Sequence, residues 1–498
     1  GRQPVVPVRI CVSIRESTTE EALASAARAS CWGDLLEIRA DYIRDLDLRQ
    51  LLRDKPGPVL FTLRASHEGG DYSGSERSRL ETILEAAQCG ADLVDVEFSA
   101  FWKPVVEVVA KSRVVLSHHN YEETPEDLRP LIDSMAETGA GILKIVTHAR
   151  CLADNLSIAR ALGYASEQHV NLCAAAMGRE GIPSRILGAH WGSWMIFASV
   201  PGGRSTAEGQ VPADDLVECF RIRQISAATQ LYGVLGKPLG HSLSPRIHNA
   251  AFAARGMDAV FLPLEASSVD DFLQFDEAFP IRGASVTIPF KEEICARAHS
   301  LSVAANNTRA VNTLVRRAGG WHGENTDVDG FLQPLLRRIH LGKMRAVVLG
   351  AGGAARAVVY GLRSYGATVC VLARDVSKAR ILADEFQTQH GSWEQLPAAQ
   401  WDLLVNATPI GMYPHIEETP VRAEWLTGEW VCDLVYNPGE TRLLREAAQR
   451  GCRTISGIDM FLAQAKKQQQ LWCGSAPPEQ VMEDALKSAL RPQTSLAV

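Results

Sequence analysis

The chain has 498 residues, of which 46% are hydrophobic and 22% are charged, with a formal net charge of −7 and 11 cysteines. Domains usually hold ~100–200 residues, so several domains are expected. The acidic balance gives no reason to expect nucleic acid as a partner, and no apolar run reaches the ~20 residues of a membrane span. The cysteines form no Cys-x-x-Cys pair and Val5–Ile14 is too short for a signal peptide, so we expect reduced thiols in a cytosol-like compartment and no metal site.

The first 224 residues predict eight alternations of strand and helix. Short apolar runs are separated by amphipathic stretches such as Thr19–Ala29 and Arg77–Cys89. Eight such units fit the length of a (β/α)8 TIM barrel, although periodicity alone leaves a doubly wound sheet open. The predicted strands are Val8–Ile14, Leu35–Arg39, Val59–Leu63, Leu93–Phe98, Val114–Ser117, Gly141–Val146, Val170–Ala175 and Trp194–Val200.

The remaining chain predicts two further α/β regions after a helix or connector at Phe220–Leu231. Residues 230–327 form a smaller α/β domain, and residues 328–457 a Rossmann-like domain that opens with strand, glycine-rich turn, helix and strand. We expect helices within 458–498 to complete the middle domain and the tail after Arg491 to be disordered. The predicted strands are Tyr232–Leu235, Val260–Pro263, Gly283–Val286, Ala310–Val315, Arg345–Leu349, Thr368–Leu372, Asp402–Asn406 and Trp430–Leu434, and the last helices are Met460–Trp472 and Pro478–Leu490.

Lys144 is the most informative residue of the first region. Aliphatic residues flank it on the sixth predicted strand, where burial disfavours the ammonium form. A neutral amine can attack a carbonyl, which makes Lys144 a candidate Schiff-base nucleophile. The alternative is a structural lysine paired with a buried carboxylate such as Glu37.

Other polar residues follow the predicted strands at the carboxyl end of the barrel, where active sites of this fold lie. His119 suits general acid–base chemistry near neutral pH, although a lone histidine is more often structural. Arg39, Arg64 and Arg185 together indicate an anionic substrate because guanidinium binds carboxylates bidentately, although each alone could be a surface arginine.

In order and spacing these residues resemble the type I 3-dehydroquinate dehydratases. The resemblance covers residues 5–220 and rests on Glu37-x-Arg39, Arg64 with Glu68, Ser117-x-His119, Lys144, Met177 and Ser184-Arg185. It implies that Lys144 forms a Schiff base with the C3 ketone of 3-dehydroquinate. It also implies that His119 removes the C2 proton and that Glu68 orients His119. Arg185 would bind the substrate carboxylate, with hydroxyl contacts from Ser13, Glu37, Arg39 and Arg64.

Two positions depart from that family. Asn120 stands where bacterial members often have Asp, and the closing loop reads Thr206-Ala-Glu-Gly-Gln210 in place of Ser-Ala-Pro-Gly-Gln. By position, Thr206 and Gln210 are the expected contacts of this loop with the substrate.

The glycine-rich turn predicts a dinucleotide site. Backbone amides at a helix start can bind a pyrophosphate, here from Gly350, Ala351, Gly352, Gly353 and Ala354. The next strand ends at Arg374, where NAD sites usually place an acid, so Arg374 favours NADP, assisted by Lys378. Asp375 would repel a 2′-phosphate, and the alternative is an ordinary exposed turn.

The second half resembles the shikimate dehydrogenases over about residues 230–475. The motifs are Gly236–Asn249, Val286–Lys291, Asn312-Thr, Gly323–Gly330, Asn406–Met412, Tyr436-Asn-Pro and Met460 with Gln464. The resemblance implies that Lys291 and Asp327 are the catalytic pair, with the true proton donor open between them. It implies substrate contacts from Ser242, Ser244, Thr287, Asn312, Tyr436 and Gln464, and cofactor contacts from Thr408 and Met460. Ala373-Arg374-Asp375 departs from the family's Asn-Arg-Thr.

The two resemblances together imply a bifunctional shikimate-pathway enzyme with lyase and oxidoreductase activities. It would dehydrate 3-dehydroquinate and then reduce 3-dehydroshikimate to shikimate with NADPH. The alternatives are a quinate dehydrogenase in the second half, or a non-catalytic regulator of quinate metabolism. We expect small-molecule substrates, no nucleic acid and no membrane, in the cytoplasm or, in a plant, the plastid. The oligomeric state stays open.

Overall fold

The structure is a computed structural model that describes residues 8–203, 205–240, 242–478 and 480–490. The chain divides into two compact units, Gly1–Gln230 with Asp258–Pro280, and Leu231–Met257 with Ile281–Val498. The expected disorder after Arg491 lies outside the described residues. The three-domain division stays a prediction.

Twenty strands are named within the described residues. They are β1 Ile10–Ile14, β2 Leu35–Arg39, β3 Val59–Thr62, β4 Leu93–Glu97, β5 Val114–His119, β6 Ile142–His148, β7 Leu172–Met177, β8 Ile196–Ser199, β9 Gln230–Gly236, β10 Ala259–Glu265, β11 Ile281–Val286, β12 Ser300–Leu301, β13 Thr313–Arg317, β14 Gly320–Glu324, β15 Arg345–Leu349, β16 Thr368–Ala373, β17 Gln389–Ser392, β18 Leu403–Asn406, β19 Trp430–Asp433 and β20 Arg453–Ile455.

Seventeen α-helices are named in the same part of the chain. They are α1 Thr19–Ala29, α2 Leu48–Arg53, α3 Glu76–Gln88, α4 Lys103–Val108, α5 Arg129–Ala136, α6 Asn155–Glu167, α7 Ile182–Leu187, α8 Ser244–Ala254, α9 Val269–Ala278, α10 Lys291–Arg297, α11 Val303–Thr308, α12 Thr326–Leu336, α13 Gly353–Ser364, α14 Val376–Phe386, α15 Arg442–Gln449, α16 Gly457–Cys473 and α17 Val481–Leu490. None of the described helices is long and apolar enough to cross a membrane.

The first unit contains a nearly closed parallel barrel. Its strands lie in the order β7-β6-β5-β4-β3-β2-β1-β8, which confirms the predicted TIM barrel. Strands of such a barrel are buried on both faces, which explains their nearly continuous apolar sequence. One layer of its core takes residues from or next to each of the eight strands: Cys11, Leu35, Leu60, Leu93, Val115, Ile142, Cys173 and Met195. The first unit also contains β10 and α9.

The second unit contains the predicted Rossmann-like sheet. Its parallel strands lie in the order β17-β16-β15-β18-β19-β20, with separate hydrophobic clusters that include Val358 and Leu443. The chain reverses direction across the sheet between β15 and β18, and ligands of such sheets bind at that switch point. In the same unit β9, β11, β13, β14 and β12 follow one another in a mixed sheet.

Phe220–Leu231 proves to be a connector rather than an α-helix. It contains a short 3-10 helix at Ile222–Gln224, and β9 begins at Gln230. Arg221 adopts φ 49°, a left-handed conformation that interrupts a helical path.

Candidate active sites

A cavity with about 650 Å³ of empty space lies in the barrel. It brings together most of the residues that the sequence predicts for the first site. Its lining includes Glu37, Arg39, Arg64, His119, Lys144, Arg185, Thr206 and Gln210, together with Tyr121 and Phe197, which the sequence did not single out. Ser13 and Glu68 lie just behind this lining, against Glu37 and His119 respectively.

Lys144 is placed by β6 inside the barrel, where only 6% of the residue is exposed. Its Nζ lies 3.9 Å from Glu37 Oε2 and 4.0 Å from the ring centroid of Phe197. Glu37 already accepts hydrogen bonds from Ser13 Oγ at 2.7 Å and Thr62 Oγ1 at 2.9 Å. Burial lowers the pKa of Lys144, and Arg64 adds to this effect while Glu37 opposes it. The lysine is therefore held toward its neutral amine form.

His119 lies at the end of β5 with its ring against Glu68. Its Nδ1 is 3.0 Å from Glu68 Oε2, and its backbone N–H donates to the same oxygen at 3.1 Å. Tyr121 stacks on the imidazole at 5.9 Å and donates its hydroxyl to the Glu68 carbonyl. Burial lowers the pKa of His119 well below its ordinary value, with Arg64 and Lys144 contributing. The ring is thus oriented and neutral, as a general base must be.

Arg64 and Arg39 are held by carboxylates that the sequence did not single out. Arg64 contacts Asp95 at 2.7 Å and Glu97 at 3.1 Å, both on β4. Arg39 forms a bidentate pair with Asp41 at 2.9 Å. The alternation of Asp95 and Glu97 within the apolar β4 was a signal that both side chains point to one face of the strand.

Arg185 differs from the other two arginines of the cavity. It is buried in α7, and its Nε has no hydrogen-bond partner among the described residues. Its Nη2 donates only a long hydrogen bond, 3.4 Å, to the Glu208 carbonyl. Burial lowers its pKa to about 10, with no carboxylate to offset that effect. A buried cation without a partner is costly, and an anionic ligand would relieve that cost.

The predicted closing loop lies over the same cavity. Gln210 Oε1 accepts hydrogen bonds from the backbone N–H and the hydroxyl of Thr206, at 3.2 and 3.1 Å. Gln210 Nε2 reaches Ser13 Oγ at 3.4 Å. Gly209 adopts φ 75°, and a side chain there would collide with the Gly178 carbonyl. Thr206 and Gln210 therefore line the cavity despite the altered loop sequence.

The second site is centred on Lys291 and Asp327. Lys291 begins α10, and its Nζ donates to Asp327 Oδ2 at 2.6 Å. Asp327 lies in the first turn of α12, which Asn325 caps. Asn312 Nδ2 donates to Asp327 Oδ1 at 3.0 Å and lies 3.4 Å from Gln464 Oε1. Three of the predicted groups are thus hydrogen-bonded around the lysine.

Other predicted substrate residues lie in the same unit. Ser242 and Ser244 lie at the start of α8, and Ser242 hydrogen-bonds Tyr436. Burial raises the pKa of Tyr436 to about 12, so its hydroxyl stays a donor. Thr287 is half-buried in the turn that leads from β11 to Lys291, where its carbonyl accepts from Phe290 N–H.

Gln468 and His248 support this site but were missed by the sequence reasoning. Gln468 Nε2 donates to the Asn312 carbonyl at 3.3 Å and to Thr313 Oγ1 at 2.9 Å. His248 Nε2 lies 3.1 Å from Gln468 Oε1, and burial lowers the pKa of His248 to about 3. These contacts join residues about 155 to 220 positions apart, so no local pattern could indicate them.

The glycine-rich turn fits the pyrophosphate of a dinucleotide. Gly350 adopts φ 109° after β15, Gly352 has open space where a Cβ would stand, and α13 begins at Gly353. The free amides at the start of α13 are the groups that such a phosphate binds. At Gly353 a Cβ would lie 2.9 Å from Lys291 Cδ, so Lys291 packs directly against this turn.

The predicted 2′-phosphate contacts also fit. Arg374 follows β16, is exposed, and lies 5.9 Å from the ring centroid of Trp393. The Asp375 carboxylate caps α14 by accepting from the backbone N–H groups of Ser377 and Lys378, at 3.1 and 3.4 Å. One oxygen of Asp375 is therefore turned toward its own helix, and whether Asp375 repels a 2′-phosphate stays a prediction.

Two predicted cofactor residues have mainly internal contacts. Thr408 hydrogen-bonds Asn406 Oδ1 through both its backbone N–H and its hydroxyl, which shapes the loop after β18. Met460 is 5% exposed in the core cluster of the Rossmann-like sheet, 3.7 Å from Cys432 Sγ. Among the described residues, no group of three or more His, Cys, Asp or Glu could hold a metal ion.

Comparison with known proteins decides the family. The chain is 34% identical over 506 residues to the bifunctional 3-dehydroquinate dehydratase/shikimate dehydrogenase of Arabidopsis thaliana, described as chloroplastic, covering 95% of this chain and 83% of the relative. The chain belongs to this bifunctional family. Residues 10–227 match the family model of type I 3-dehydroquinase, and residues 234–314 match that of the shikimate dehydrogenase substrate binding domain.

The second half of this bifunctional family member also matches separate enzymes. It is 41% identical over 284 residues to a shikimate dehydrogenase (NADP(+)) of Moorella thermoacetica, covering 54% of this chain and 96% of the relative. A crystal structure of a shikimate dehydrogenase in complex with NADP+ matches with a TM-score of 0.50 and 34% identity, covering 53% of this chain and 97% of that one. The predicted lyase and oxidoreductase classes and the NADP cofactor are confirmed, and the main interpretation is favoured over its alternatives.

Proposed function

We propose that the chain catalyses two consecutive steps of the shikimate pathway. The first unit dehydrates 3-dehydroquinate to 3-dehydroshikimate, and the second reduces 3-dehydroshikimate to shikimate. The observation that carries the proposal is that each unit holds one lysine among the groups that its own reaction needs. Lys144 lies in one cavity with His119 and the unpaired Arg185, and Lys291 lies between Asp327 and the glycine-rich turn.

In the first reaction Arg185 binds the substrate carboxylate and the neutral Lys144 attacks the C3 ketone. The iminium that results withdraws electrons from the neighbouring carbon, so its proton becomes acidic enough for His119 to remove. The same imidazole then returns the proton to the departing hydroxyl, which leaves as water. Hydrolysis of the product iminium restores the free amine. Glu68 fixes the ring throughout through its contact at 3.0 Å.

In the second reaction the bound NADPH supplies a hydride to the substrate carbonyl. The glycine-rich turn at the start of α13 holds the pyrophosphate, and Arg374 with Lys378 binds the 2′-phosphate. Lys291 donates a hydrogen bond to the carbonyl oxygen and delivers the proton that completes the alcohol, while Asp327 holds the ammonium in place. Asn312, Tyr436 and Gln464 orient the substrate hydroxyls and carboxylate.

A two-substrate assay on the intact chain tests this function. With 3-dehydroquinate alone, the ultraviolet absorbance of the conjugated enone should appear; when NADPH is added, it should disappear while NADPH is consumed. Turnover of shikimate with NADP+ should exceed turnover of quinate with NAD+. No enone from 3-dehydroquinate would contradict the first activity, and a preference for quinate with NAD+ would show the second half to be a quinate dehydrogenase.

The compartment follows the source of the chain. We propose the plastid if it comes from a plant, by analogy with the chloroplastic relative, and otherwise the cytoplasm. A fluorescent fusion of the natural full-length protein, imaged in its own cells, should show one of these two distributions. A membrane or extracellular signal would contradict the proposal.

A further inference from the structure

A row of hydrogen bonds leads from the buried His119 to the surface of the barrel. His119 Nδ1 lies 3.0 Å from Glu68 Oε2. The other carboxylate oxygen, Glu68 Oε1, accepts a hydrogen bond of 2.8 Å from Ser99 Oγ. Ser99 Oγ lies 2.9 Å from His67 Nε2. His119 and Glu68 are sheltered, whereas Ser99 and His67 are exposed, so the row spans the wall of the cavity.

Neighbouring strands of the barrel bring these four residues together. His67 and Glu68 belong to the short 3-10 helix after β3, Ser99 follows β4, and His119 ends β5. Each group in the row can both take up and release a proton, and each adjacent pair lies within hydrogen-bond distance. His67 is the outermost member, and an imidazole can take up a proton on one ring nitrogen and release one from the other.

The proposed dehydration needs such a path. Conversion of the neutral amine of Lys144 and a ketone into an iminium and water takes up one proton, and hydrolysis of the product iminium releases one. Burial lowers the pKa of both Lys144 and His119, which disfavours a stored proton on either group. Arg64, Arg39 and His118 also face His119 and disfavour a positive charge on it. Thr206 and Gln210 of the closing loop line the cavity, and Gln210 Nε2 lies 3.4 Å from Ser13 Oγ.

We propose that Glu68, Ser99 and His67 form a proton relay that connects His119 with solvent while substrate occupies the barrel. A proton that arrives on His67 passes from Nε2 to Ser99 Oγ as the serine proton moves to Glu68 Oε1. The proton on Oε1 makes Glu68 a neutral carboxylic acid, and rotation of its carboxyl group turns this proton toward His119 Nδ1. As Nδ1 takes up the proton, His119 gives its Nε2 proton to the carbinolamine hydroxyl, which leaves as water, so Nε2 is then free to act as the base. After product hydrolysis the same transfers run in reverse. This inference rests on the proposed dehydratase function, because only that reaction takes up and releases the proton here.

The test asks whether His67 and Ser99 transfer protons or only hold Glu68 in place through hydrogen bonds. His67→Gln keeps an amide that can hydrogen-bond Ser99 but cannot carry a proton. At low buffer concentration its dehydratase kcat should fall about tenfold, less than the hundredfold typical of losing a direct acid–base group. Added imidazole should restore the rate toward wild type, whereas sodium chloride at equal ionic strength should not. Ser99→Ala should also lose rate, and Ser99→Thr, which keeps the hydroxyl, should retain it.

Controls make each outcome decisive. Binding of 3-dehydroquinate to each variant reports that its barrel is folded, and His190→Gln, another exposed histidine of the barrel, should behave as wild type at every buffer concentration. The relay would be overturned if His67→Gln dehydrated at the wild-type rate at low buffer concentration, or if imidazole did not restore a lost rate. In either case, dehydration by the wild-type chain would leave the proposed function intact. If the wild-type chain itself does not dehydrate 3-dehydroquinate, the proposed function fails as well.

Discussion

The two lysines that we propose to be catalytic lie in different electrostatic settings. Lys144 is buried on a central strand, and the carboxylate nearest to it in an ion pair, Glu37, lies 3.9 Å away and is already hydrogen-bonded to two hydroxyls. Lys291 begins a helix and donates to Asp327 at 2.6 Å. Burial favours the nucleophilic amine form of Lys144 although Glu37 opposes this effect, whereas Asp327 positions Lys291 Nζ through a direct hydrogen bond. The comparison teaches that the partner of a lysine, rather than the lysine itself, decides between the two chemistries.

The largest effect is expected from Lys144→Met, which keeps the side-chain volume and removes the amine. Dehydratase kcat should fall by about 10⁴-fold or more, as for loss of a covalent nucleophile. Borohydride treatment with substrate should label the wild-type peptide that contains Lys144 and leave the variant unlabelled, as mass spectrometry would show. Shikimate oxidation with NADP+ should be unchanged. Borohydride labelling of the variant would assign the Schiff base to another residue.

Lys291→Met should have the next largest effect, on the other activity alone. We expect reductase kcat to fall about 10³-fold because a positioned proton donor is lost. Binding of NADP+, measured by calorimetry, should change little, since Arg374 and the glycine-rich turn remain. The dehydratase rate of the same preparation is the control. An equal loss of both activities would argue against two independent sites.

Arg185→Met should separate ligand binding from stability. Loss of a charged contact to the substrate carboxylate should lower dehydratase kcat/KM about 100-fold. The melting temperature should not fall, because the variant removes a buried charge that has no carboxylate partner. Arg64→Met is the matched control, since it removes the ion-pair contact of Arg64 with Asp95 and with Glu97, which keeps Arg79, and it should melt earlier. An Arg185→Met chain that melts as early as that control would indicate a structural role.

The smallest effect concerns pH. The pKa of His119 lies well below that of an ordinary histidine, so the general base stays neutral as the pH falls through 6.5. An unperturbed histidine would be only about one-tenth neutral one unit below its pKa. Dehydratase kcat/KM should therefore retain well over a tenth of its neutral-pH value at about pH 5.5. An acid limb centred near 6.5 in a steady-state pH profile would show that His119 titrates normally.

The same lowered pKa has a cost in stability. Between the folded-state pKa of His119 and about 6.5, the unfolded chain binds the proton that the folded chain rejects, so His119 contributes less to stability as the pH falls through this window. His248, with a pKa of about 3, acts in the same direction in the second unit. The contributions of His119 and His248 to stability are fully present above the unfolded-state histidine pKa of about 6.5.

The sequence predicted the barrel well because its strands are short apolar runs between amphipathic helices. The strands it missed are short and partly polar, such as β12 with two residues and β17 with the sequence Gln-His-Gly-Ser. Hydrophobic pattern carries little signal in such segments. The glycine-rich strand–turn–helix was placed correctly for the opposite reason, since turn residues and periodicity agree there.

The sequence predicted those site residues whose side chains suit catalysis or ligand binding. It did not predict the residues that hold these side chains in place. The sequence indicated Arg64 and not the β4 carboxylates that hold it, because that contact depends on strands pairing in register. The cap formed by Asp375 was not predicted, because it depends on where α14 begins. Its exposed carboxylate accepts from two backbone N–H groups of that helix.

The contact between Gly353 and the stem of Lys291 matters for anyone who redesigns the cofactor preference. Gly353 begins α13, and an alanine at this position would keep the backbone amides that can bind a phosphate. Its methyl group would lie 2.9 to 3.0 Å from two carbons of Lys291, so something there must shift. Replacing the glycine-rich turn would therefore displace Lys291, the proposed proton donor, as well as the nucleotide. A loss of turnover after such a replacement would not by itself report on cofactor binding.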